Sequence, residues 1–493
     1  MSPRFRFWLL ILALILFSRM FQTGVIWPEE TLYLAVAQQI RAGHTLYFDI
    51  WFDKPPFLAW FYYGVFRLVG YSIYGLRLVG AIYIWAVTLM GYALARRLWG
   101  EPAGRWTAFF LAFFTGFYIH AATVALAADL LLVLPHLAVF YFLACGRPGL
   151  AGLCAGLAFH FNAKALFVLG AAAGWILLAS MEKDRIPGGA GRRLSLLLAG
   201  FFASVAAGLA VVVFEGGWRG YVDQVWRWGW QYASSSISDR PWVLGLERTW
   251  HYLGFHAALV LGAVAYFLRR PSGSGEFRRM AFWMAVSFLG VILGARFFPR
   301  YYFQILPPLA VAAGAGWAAL PRRLPSTVVL AVALAVPAVR FGRVNLWLAL
   351  RRPFPWRDTA MDADSRRVGA DVAQLTRPTD RILVWGYRPE IYYYARRAGA
   401  SRFLESQPLT GVLADRHLQR SDPFLPEWAA RHRQELAQQL SESPPAVIVD
   451  GLGSYNPSLA MENYPELRPA LERYRLVEVT RGSLVYRLAA PGS

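Results

Sequence analysis

The feature that most constrains this chain is a succession of apolar runs, each long enough to cross a lipid bilayer. A hydrocarbon core of about 30 Å needs about 20 apolar residues in a helix. The sequence therefore predicts a polytopic, mainly α-helical membrane protein with about eleven spans. The runs lie at residues 7–26, 74–95, 105–122, 127–145, 149–163, 165–181, 194–214, 249–268, 280–295, 301–320 and 325–341.

The composition agrees with a membrane protein. The 493 residues are 57% hydrophobic and only 16% charged, whereas soluble proteins carry about a quarter charged residues. The net charge of +20 falls largely between the apolar runs, which favours membrane topology and lipid phosphates over nucleic acid as its cause. The two cysteines, Cys145 and Cys154, lie in or beside apolar runs, so we expect neither a disulfide framework nor a zinc site.

Positive charge is distributed unevenly between alternate loops. With a cytoplasmic N-terminus, the inner loops carry more Lys and Arg and the outer loops more Trp and Tyr, as the positive-inside rule requires. An odd number of spans then places everything after about residue 342 outside the cytoplasm, at the plasma (inner) membrane. The inner-loop residues are Arg96, Arg97, Arg105, Arg147, Lys183, Arg185, Arg192, Arg193, Arg269, Arg270, Arg278, Arg279, Arg322 and Arg323.

The first apolar run lacks the small-residue cleavage site of a signal peptide, so we expect it to remain as a span. Arg19 lies inside this run. Such a residue either extends its charge to the membrane surface or faces a polar cavity, and we expect the former.

Two domains are predicted. Residues 1–342 form a transmembrane domain, whose first outer loop, 27–72, shows the helical spacing of two interfacial helices. Residues 343–493 alternate helical patterns with strand-like runs such as "RILVWG" and "PAVIVD", which predicts a small extracytoplasmic α/β domain. Another outer segment, 215–248, is rich in Trp, which suits a membrane interface better than stacking on sugars.

The segment "WPEETLYLAVAQQI" begins with two adjacent carboxylates, Glu29 and Glu30. Proline and acidic residues are ordinary at a helix start, because proline loses no needed donor and the carboxylates face the positive end of the helix dipole. Adjacent helical residues point in different directions. We therefore expect Glu29 to face a cavity, and Glu30 to orient the helix or pair with a neighbouring cation.

The segment "YFDIWFDKPP" places Asp53 and Lys54 directly before two prolines. The prolines fix the backbone and keep Lys54 out of the helical conformation. This turn is either a rigid helix start or a device that aims a carboxylate and an ammonium group at one point.

Two further polar clusters lie at the same predicted face. Asp129 opens the fourth span, where a carboxylate is costly unless it is paired or faces water, so we expect a functional role. The segment "GARFFPRYYFQILPPL" places Arg296, Arg300 and Tyr301 at the outer end of the tenth span. We expect these arginines to anchor the helix at the interface rather than to bind phosphate.

Carboxylates and cations gathered on one face suit transfer from a lipid phosphate to an acceptor hydroxyl. A carboxylate can take the proton of the hydroxyl, and cations can stabilise the leaving phosphate as its charge develops. The pattern therefore points to an enzyme acting at the outer surface of the membrane.

These motifs, in this order, resemble the start of bacterial GT-C glycosyltransferases, the relatives of protein O-mannosyltransferases and aminoarabinose transferases grouped as glycosyltransferase family 39. The likeness rests on the acidic pair, a tyrosine three residues beyond it, the Asp-Lys-Pro-Pro turn and an Arg-Leu pair entering the second span. It continues through Asp129, "GLAFHFNAKALFVLG" and "PRYYFQILPPL", and so covers roughly residues 1–340. The tail is more weakly similar to extracytoplasmic domains of such enzymes.

The resemblance implies an inverting transferase that takes a sugar from a polyprenyl-phosphate donor. It implies catalytic carboxylates among Glu29, Glu30, Asp53 and Asp129, and lipid-phosphate contacts from Lys54, Arg300 and Tyr301. The family usually has Asp where this chain has Glu29, and one extra methylene displaces the carboxylate by about a bond length. Some relatives use a divalent ion, and Mg²⁺ or Mn²⁺ suits such carboxylates. The sequence has no His/Cys ligand cluster, so we do not expect a metal to be required, and a divalent cation stays an open alternative.

Alternatives stay open at this point. The acceptor is a protein, a lipid or a glycan, and the sequence does not specify the sugar. A transporter or flippase for lipid-linked sugars would share the phosphate site without needing a base, although the chain shows no internal repeat. A non-catalytic envelope scaffold that displays the α/β tail is a third reading.

Overall fold

The computed structural model describes residues 1–181, 189–234, 238–270, 274–321, 323–350, 352, 356–413, 417–421, 423 and 425–489. Helices make up the chain as far as Ala349, and a small sheet with flanking helices follows, as predicted. Lys183, Arg185 and Arg322, which belong to the predicted inner loops, lie outside the described residues.

The two helices predicted in the first outer loop are present. Helix α1 (Pro3–Met20) is followed by α2 (Pro28–Arg41) and α3 (Pro56–Val69), and each begins at a proline, which fits the first helical turn. Helix α2 is buried along most of its length, including all of residues 33–39. It is therefore part of the core, and its acidic first turn is held in a fixed place.

Three of the described helices, α4 (Ile73–Trp99), α11 (Gly189–Phe214) and α18 (Leu324–Ala349), are long and apolar enough to cross a membrane, while several apolar helices are shorter. The predicted number of spans stays a prediction. Helices α14 (Pro241–Phe255) and α15 (Ala257–Leu268) overlap the predicted eighth span, 249–268. They meet at 86°, a bend that the apolar pattern does not reveal. The helices are α4 (Ile73–Trp99), α5 (Glu101–Phe114), α6 (His120–Thr123), α7 (Ala128–Leu131), α8 (Val133–Ala144), α9 (Pro148–Phe161), α10 (Ala165–Ser180), α11 (Gly189–Phe214), α12 (Trp218–Tyr221), α13 (Trp228–Ser234), α14 (Pro241–Phe255), α15 (Ala257–Leu268), α16 (Gly275–Ile292), α17 (Leu306–Ala319) and α18 (Leu324–Ala349).

Arg19 does not extend to a surface, so that expectation was wrong. Its side chain is 1% exposed and donates to the carbonyl oxygens of Thr115, Thr123 and Val124 at 3.2, 2.7 and 3.1 Å. These carbonyls are available because the chain is irregular around the short helix α6. A buried guanidinium is tolerated where such acceptors replace water.

The described C-terminal part contains the strands β1 (Arg381–Trp385), β2 (Ala398–Gly399), β3 (Val447–Asp450), β4 (Tyr474–Val479) and β5 (Leu484–Leu488). They form a five-stranded sheet in the order β2-β1-β3-β5-β4. Strand β1 is parallel to β2 and β3, whereas β5 is antiparallel to β3 and β4. We call residues 357–489 the α/β segment. Its elements are α19 (Arg357–Leu375), β1 (Arg381–Trp385), α20 (Glu390–Ala395), β2 (Ala398–Gly399), α21 (Gln407–Thr410), α22 (His417–Arg420), α23 (Pro426–Glu442), β3 (Val447–Asp450), α24 (Arg468–Leu471), β4 (Tyr474–Val479) and β5 (Leu484–Leu488).

The α/β segment packs directly on residues 27–72, which the sequence predicts to be the first outer loop. The Trp51 N–H donates to the carbonyl of Arg402 at 2.9 Å, and Gln38 Nε2 donates to the carbonyl of Arg397 at 2.8 Å. The Trp51 ring also meets that of Trp228, with centroids 5.7 Å apart. Part of the Trp-rich segment is therefore core, while other members such as Trp230 are exposed.

Candidate functional site

The two glutamates that open α2 have different surroundings. Glu30 is fully buried. Its Oε1 accepts from the Trp27 N–H at 2.9 Å and from Arg77 Nη2 at 2.5 Å, and its Oε2 accepts from Arg77 Nη1 at 2.9 Å. Both oxygens are therefore engaged in holding the helix start, and this geometry favours Glu30 as a positioning residue over a catalytic one.

Glu29 points elsewhere and keeps a side chain that is 28% exposed. Its carboxylate contacts the guanidinium of Arg300, which lies in a 3₁₀ turn at Pro299–Gln304. Arg300 Nε is also 3.6 Å from Oδ2 of Asp129. One arginine thus bridges carboxylates from two distant parts of the sequence.

Asp129 is held by a second set of contacts. Its Oδ1 accepts from Asn162 Nδ2 at 2.9 Å, and Asn162 lies where α9 ends. The Asn162 Oδ1 in turn accepts from the Lys164 N–H at 3.0 Å. The break between α9 and α10 therefore serves to present an amide to Asp129.

Lys164 belongs to the same group of residues. Its ammonium lies 2.9 Å from the centroid of the Tyr301 ring, and its carbonyl accepts from Gln304 Nε2 at 2.8 Å. It also interacts electrostatically with Asp129. In the sequence, Lys164 is visible only as the polar residue that separates two predicted spans, 149–163 and 165–181.

The Asp-Lys-Pro-Pro turn faces this group. Lys54 Nζ is 2.6 Å from Asp53 Oδ1, and the Tyr47 hydroxyl donates to the Lys54 carbonyl at 2.6 Å. Burial disfavours the charge of Lys54, but the neighbouring Asp53 carboxylate outweighs this and raises the pKa of Lys54. Lys54 also interacts electrostatically with Asp129, so the turn and the Arg300 bridge share one region.

Tyr33 belongs to the same region as the turn and Asp129. It is the tyrosine three residues beyond the acidic pair, it is 7% exposed, and it interacts electrostatically with Lys54, Asp53 and Asp129. It belongs to the stretch 33–39 of α2, all of which is buried.

The arginines of the late cluster do not behave as surface anchors, so that expectation was wrong. Arg296 is 2% exposed, and its Nη2 donates to the Tyr232 carbonyl at 2.6 Å while its guanidinium lies 3.6 Å from the Tyr232 ring centroid. Arg300 contacts the site carboxylates, and Tyr301 is 9% exposed beneath Lys164. Both therefore lie beside the other charged residues of the site, and their role in binding a lipid phosphate stays a prediction.

The donor set does not resemble a metal site. In the part of the chain that the structure describes, no group of three or more His, Cys, Asp or Glu side chains could hold a metal ion. The two nearest carboxylates, Glu29 and Asp129, already share the guanidinium of Arg300. A cation from the chain itself therefore balances the charge that a divalent ion would otherwise balance.

Comparison with known proteins extends this description. Residues 53–209, about a third of the chain, match the family model described as dolichyl-phosphate-mannose-protein mannosyltransferase. The fold is similar to that of ArnT from Cupriavidus metallidurans in the apo state, with a TM-score of 0.64, 15% identity and 98% of each chain covered. The same protein bound to undecaprenyl phosphate gives a TM-score of 0.61, again at 15% identity, with 97% of each chain covered.

The chain therefore shares the fold of the ArnT structures, and its residues 53–209 match a mannosyltransferase family model. The apo form of an oligosaccharyltransferase from Archaeoglobus fulgidus is a more distant structural neighbour, with a TM-score of 0.50 and 12% identity over 99% of this chain and 74% of that one. No curated protein sequence matches the chain.

Proposed function

We propose that this chain is a membrane glycosyltransferase that moves a sugar from a polyprenyl-phosphate donor to an acceptor hydroxyl on the extracytoplasmic side of the membrane, with inversion at the anomeric carbon. The observation that carries the proposal is the bridge from Arg300 to Glu29 and Asp129, beside Lys54 and Lys164. The matched family is named for a dolichyl-phosphate sugar, and the similar ArnT structure is named as bound to undecaprenyl phosphate. Both names support a polyprenyl-phosphate donor.

The cations would stabilise the leaving group. When the bond between the anomeric carbon and the phosphate oxygen breaks, the phosphodiester becomes a monoester and gains a negative charge. Lys54, Arg300 and Lys164 would meet that charge with an ammonium, a guanidinium and a second ammonium. Preorganised charges of this kind stabilise a transition state without reorganising.

A carboxylate would take the acceptor proton. Glu29 is the better candidate for the base, because its side chain is more than a quarter exposed, whereas Glu30 is buried in an ion pair with Arg77. As the acceptor oxygen bonds to the anomeric carbon, its proton would pass to Glu29. Asp129 would hold Arg300, and Asp53 would hold Lys54, each at hydrogen-bonding or ion-pair distance.

The orientation of the chain is part of the proposal. We place the N-terminus in the cytoplasm and the α/β segment outside it, at the inner membrane, as the charge distribution of the loops indicates. The predicted division at about residue 342 falls within α18 (Leu324–Ala349). The α/β segment would then cover the site from the outer side.

The test is sugar transfer by the purified full chain in lipid, with a panel of polyprenyl-phosphate-linked sugars and release of polyprenyl phosphate as the readout. Glu29→Gln, Asp129→Asn and Lys54→Ala should each reduce turnover at least about 100-fold. Glu472→Gln, at an exposed position of the α/β segment, is the matched control and should retain activity. Full activity in all three folded site variants would refute the assignment.

A further inference from the structure

The α/β segment carries one carboxylate to the edge of the site. Glu405 lies in the loop between β2 and α21, and both flanks of that loop are fixed. On one side the Arg402 carbonyl accepts from the Trp51 N–H at 2.9 Å. On the other, Ser406 Oγ accepts from the Gly386 N–H at 2.7 Å, and the Ser406 N–H donates to the Gly386 carbonyl at 2.9 Å.

This carboxylate lies near the Asp-Lys-Pro-Pro turn, because its loop is tied to Trp51, two residues before Asp53. Glu405 interacts electrostatically with Lys54 and Asp53, and also with Tyr232 and Tyr387. Within the described part of the chain, no hydrogen bond or ion pair ties the Glu405 side chain to another residue. Its neighbours Phe403 and Leu404 are buried, so the loop cannot easily carry it away.

The charges at this point do not balance. The single ammonium of Lys54 faces two carboxylates, and Asp53 already contacts it at 2.6 Å. A phosphate that binds Lys54 would approach the second carboxylate as well. Like charges in a partly buried site repel strongly, because little water screens them.

We propose that Glu405 is a positioning residue of the donor site. When its carboxylate is charged, Lys54 binds the lipid phosphate weakly, and when the carboxyl group is neutral, Lys54 binds the phosphate tightly. This rests on the proposed function, in which Lys54 binds that phosphate. The α/β segment is then part of the active site, and release of the spent lipid phosphate is coupled to ionisation of Glu405.

Titration of this group falls at neutral pH. Burial, together with the negative charge of Asp53, raises the pKa of Glu405 to about 7, and Lys54 opposes the rise. The other groups facing it, Tyr232 and Tyr387, are uncharged at this pH. One pH unit above the pKa, only about one carboxyl in ten is protonated, so binding that needs the neutral form weakens about tenfold.

The experiment measures binding of undecaprenyl phosphate to the full chain in detergent at pH 6 and pH 8. Glu405→Gln should match wild type at pH 6 and bind about tenfold tighter at pH 8. Ionisation of the phosphate itself, with a second pKa of about 6, affects both proteins equally. Glu405→Ala should show the same change, and Glu472→Gln should follow wild type.

The outcomes separate the two proposals. If Glu405→Gln and Glu405→Ala keep the wild-type dependence on pH, or bind more weakly at pH 8, the role of Glu405 is overturned. If Lys54→Ala nevertheless weakens binding, the proposed function stands alone. If Lys54→Ala binds the lipid phosphate as tightly as wild type, both proposals fail.

Discussion

Arg300 places its Nε 3.6 Å from Oδ2 of Asp129, while the same guanidinium contacts Glu29. A planar group with five donors can serve two carboxylates at once, and an ammonium group cannot do so with the same geometry. The bridge joins the start of α2 to α7 and fixes the distance between the proposed base and its partner carboxylate.

Arg300→Lys keeps the positive charge but loses the planar set of guanidinium donors. We expect turnover at saturating donor to fall about 100-fold, because the lysine can hold only one of the two carboxylates and stabilises the leaving phosphate less well. Arg219→Lys, at an exposed position, should be unaffected. A turnover of Arg300→Lys within a few fold of wild type would show that charge alone is needed.

Glu29→Asp tests why this chain has Glu where the resembling family usually has Asp. The shorter side chain withdraws from Arg300, and a misplacement of about 1 Å can cost about 100-fold in rate. We expect turnover to fall by that order while donor binding changes little, and Glu29→Gln to fall further. An aspartate variant as active as wild type would show that the site is not adapted to the longer side chain.

The pattern of the sequence was enough to predict the helical body, the two outer-loop helices and the α/β strands, since these depend on hydrophobic period and proline position. It also indicated that the side chains of Glu29 and Glu30 would point in different directions. It did not indicate the Arg77 partner of Glu30, the burial of Arg19 and Arg296, or the role of Lys164, because each depends on contacts between residues far apart in the chain.

The pair of Glu30 and Arg77 is expected to matter for stability. Both side chains are at most 1% exposed, and removing one partner leaves a buried charge without compensation, which costs about 3–5 kcal/mol. Glu30→Gln should therefore lower the Tm of the full chain markedly. The control is Glu101→Gln, where the pair with Arg105 is 29–34% exposed, and a change of less than about 1 kcal/mol is expected. Equal shifts in Tm for the two variants would contradict this.

Chelation tests the prediction that no metal is required. Because Arg300 already balances Glu29 and Asp129, we expect turnover to be unchanged after treatment with EDTA and dialysis. A loss of activity that Mg²⁺ or Mn²⁺ restores would show that an ion enters the site during the reaction.

Glu390 should make stability depend on pH. It is 1% exposed, its Oε1 accepts from Ser365 Oγ at 2.5 Å, and burial raises its pKa to about 7 from an ordinary 4.5, against the opposing charge of Arg388. Between pH 4.5 and 7 the folded chain holds this proton and the unfolded chain does not, so the contribution to stability decreases as pH rises through that window and is constant above it. The decrease is at most about 3 kcal/mol.

Glu390→Gln keeps the acceptor for Ser365 and removes the titration, so the Tm of the variant relative to wild type should increase from pH 5 to pH 8. The exposed Glu427→Gln should follow wild type across that range, and parallel curves for Glu390→Gln and wild type would rule out the raised pKa.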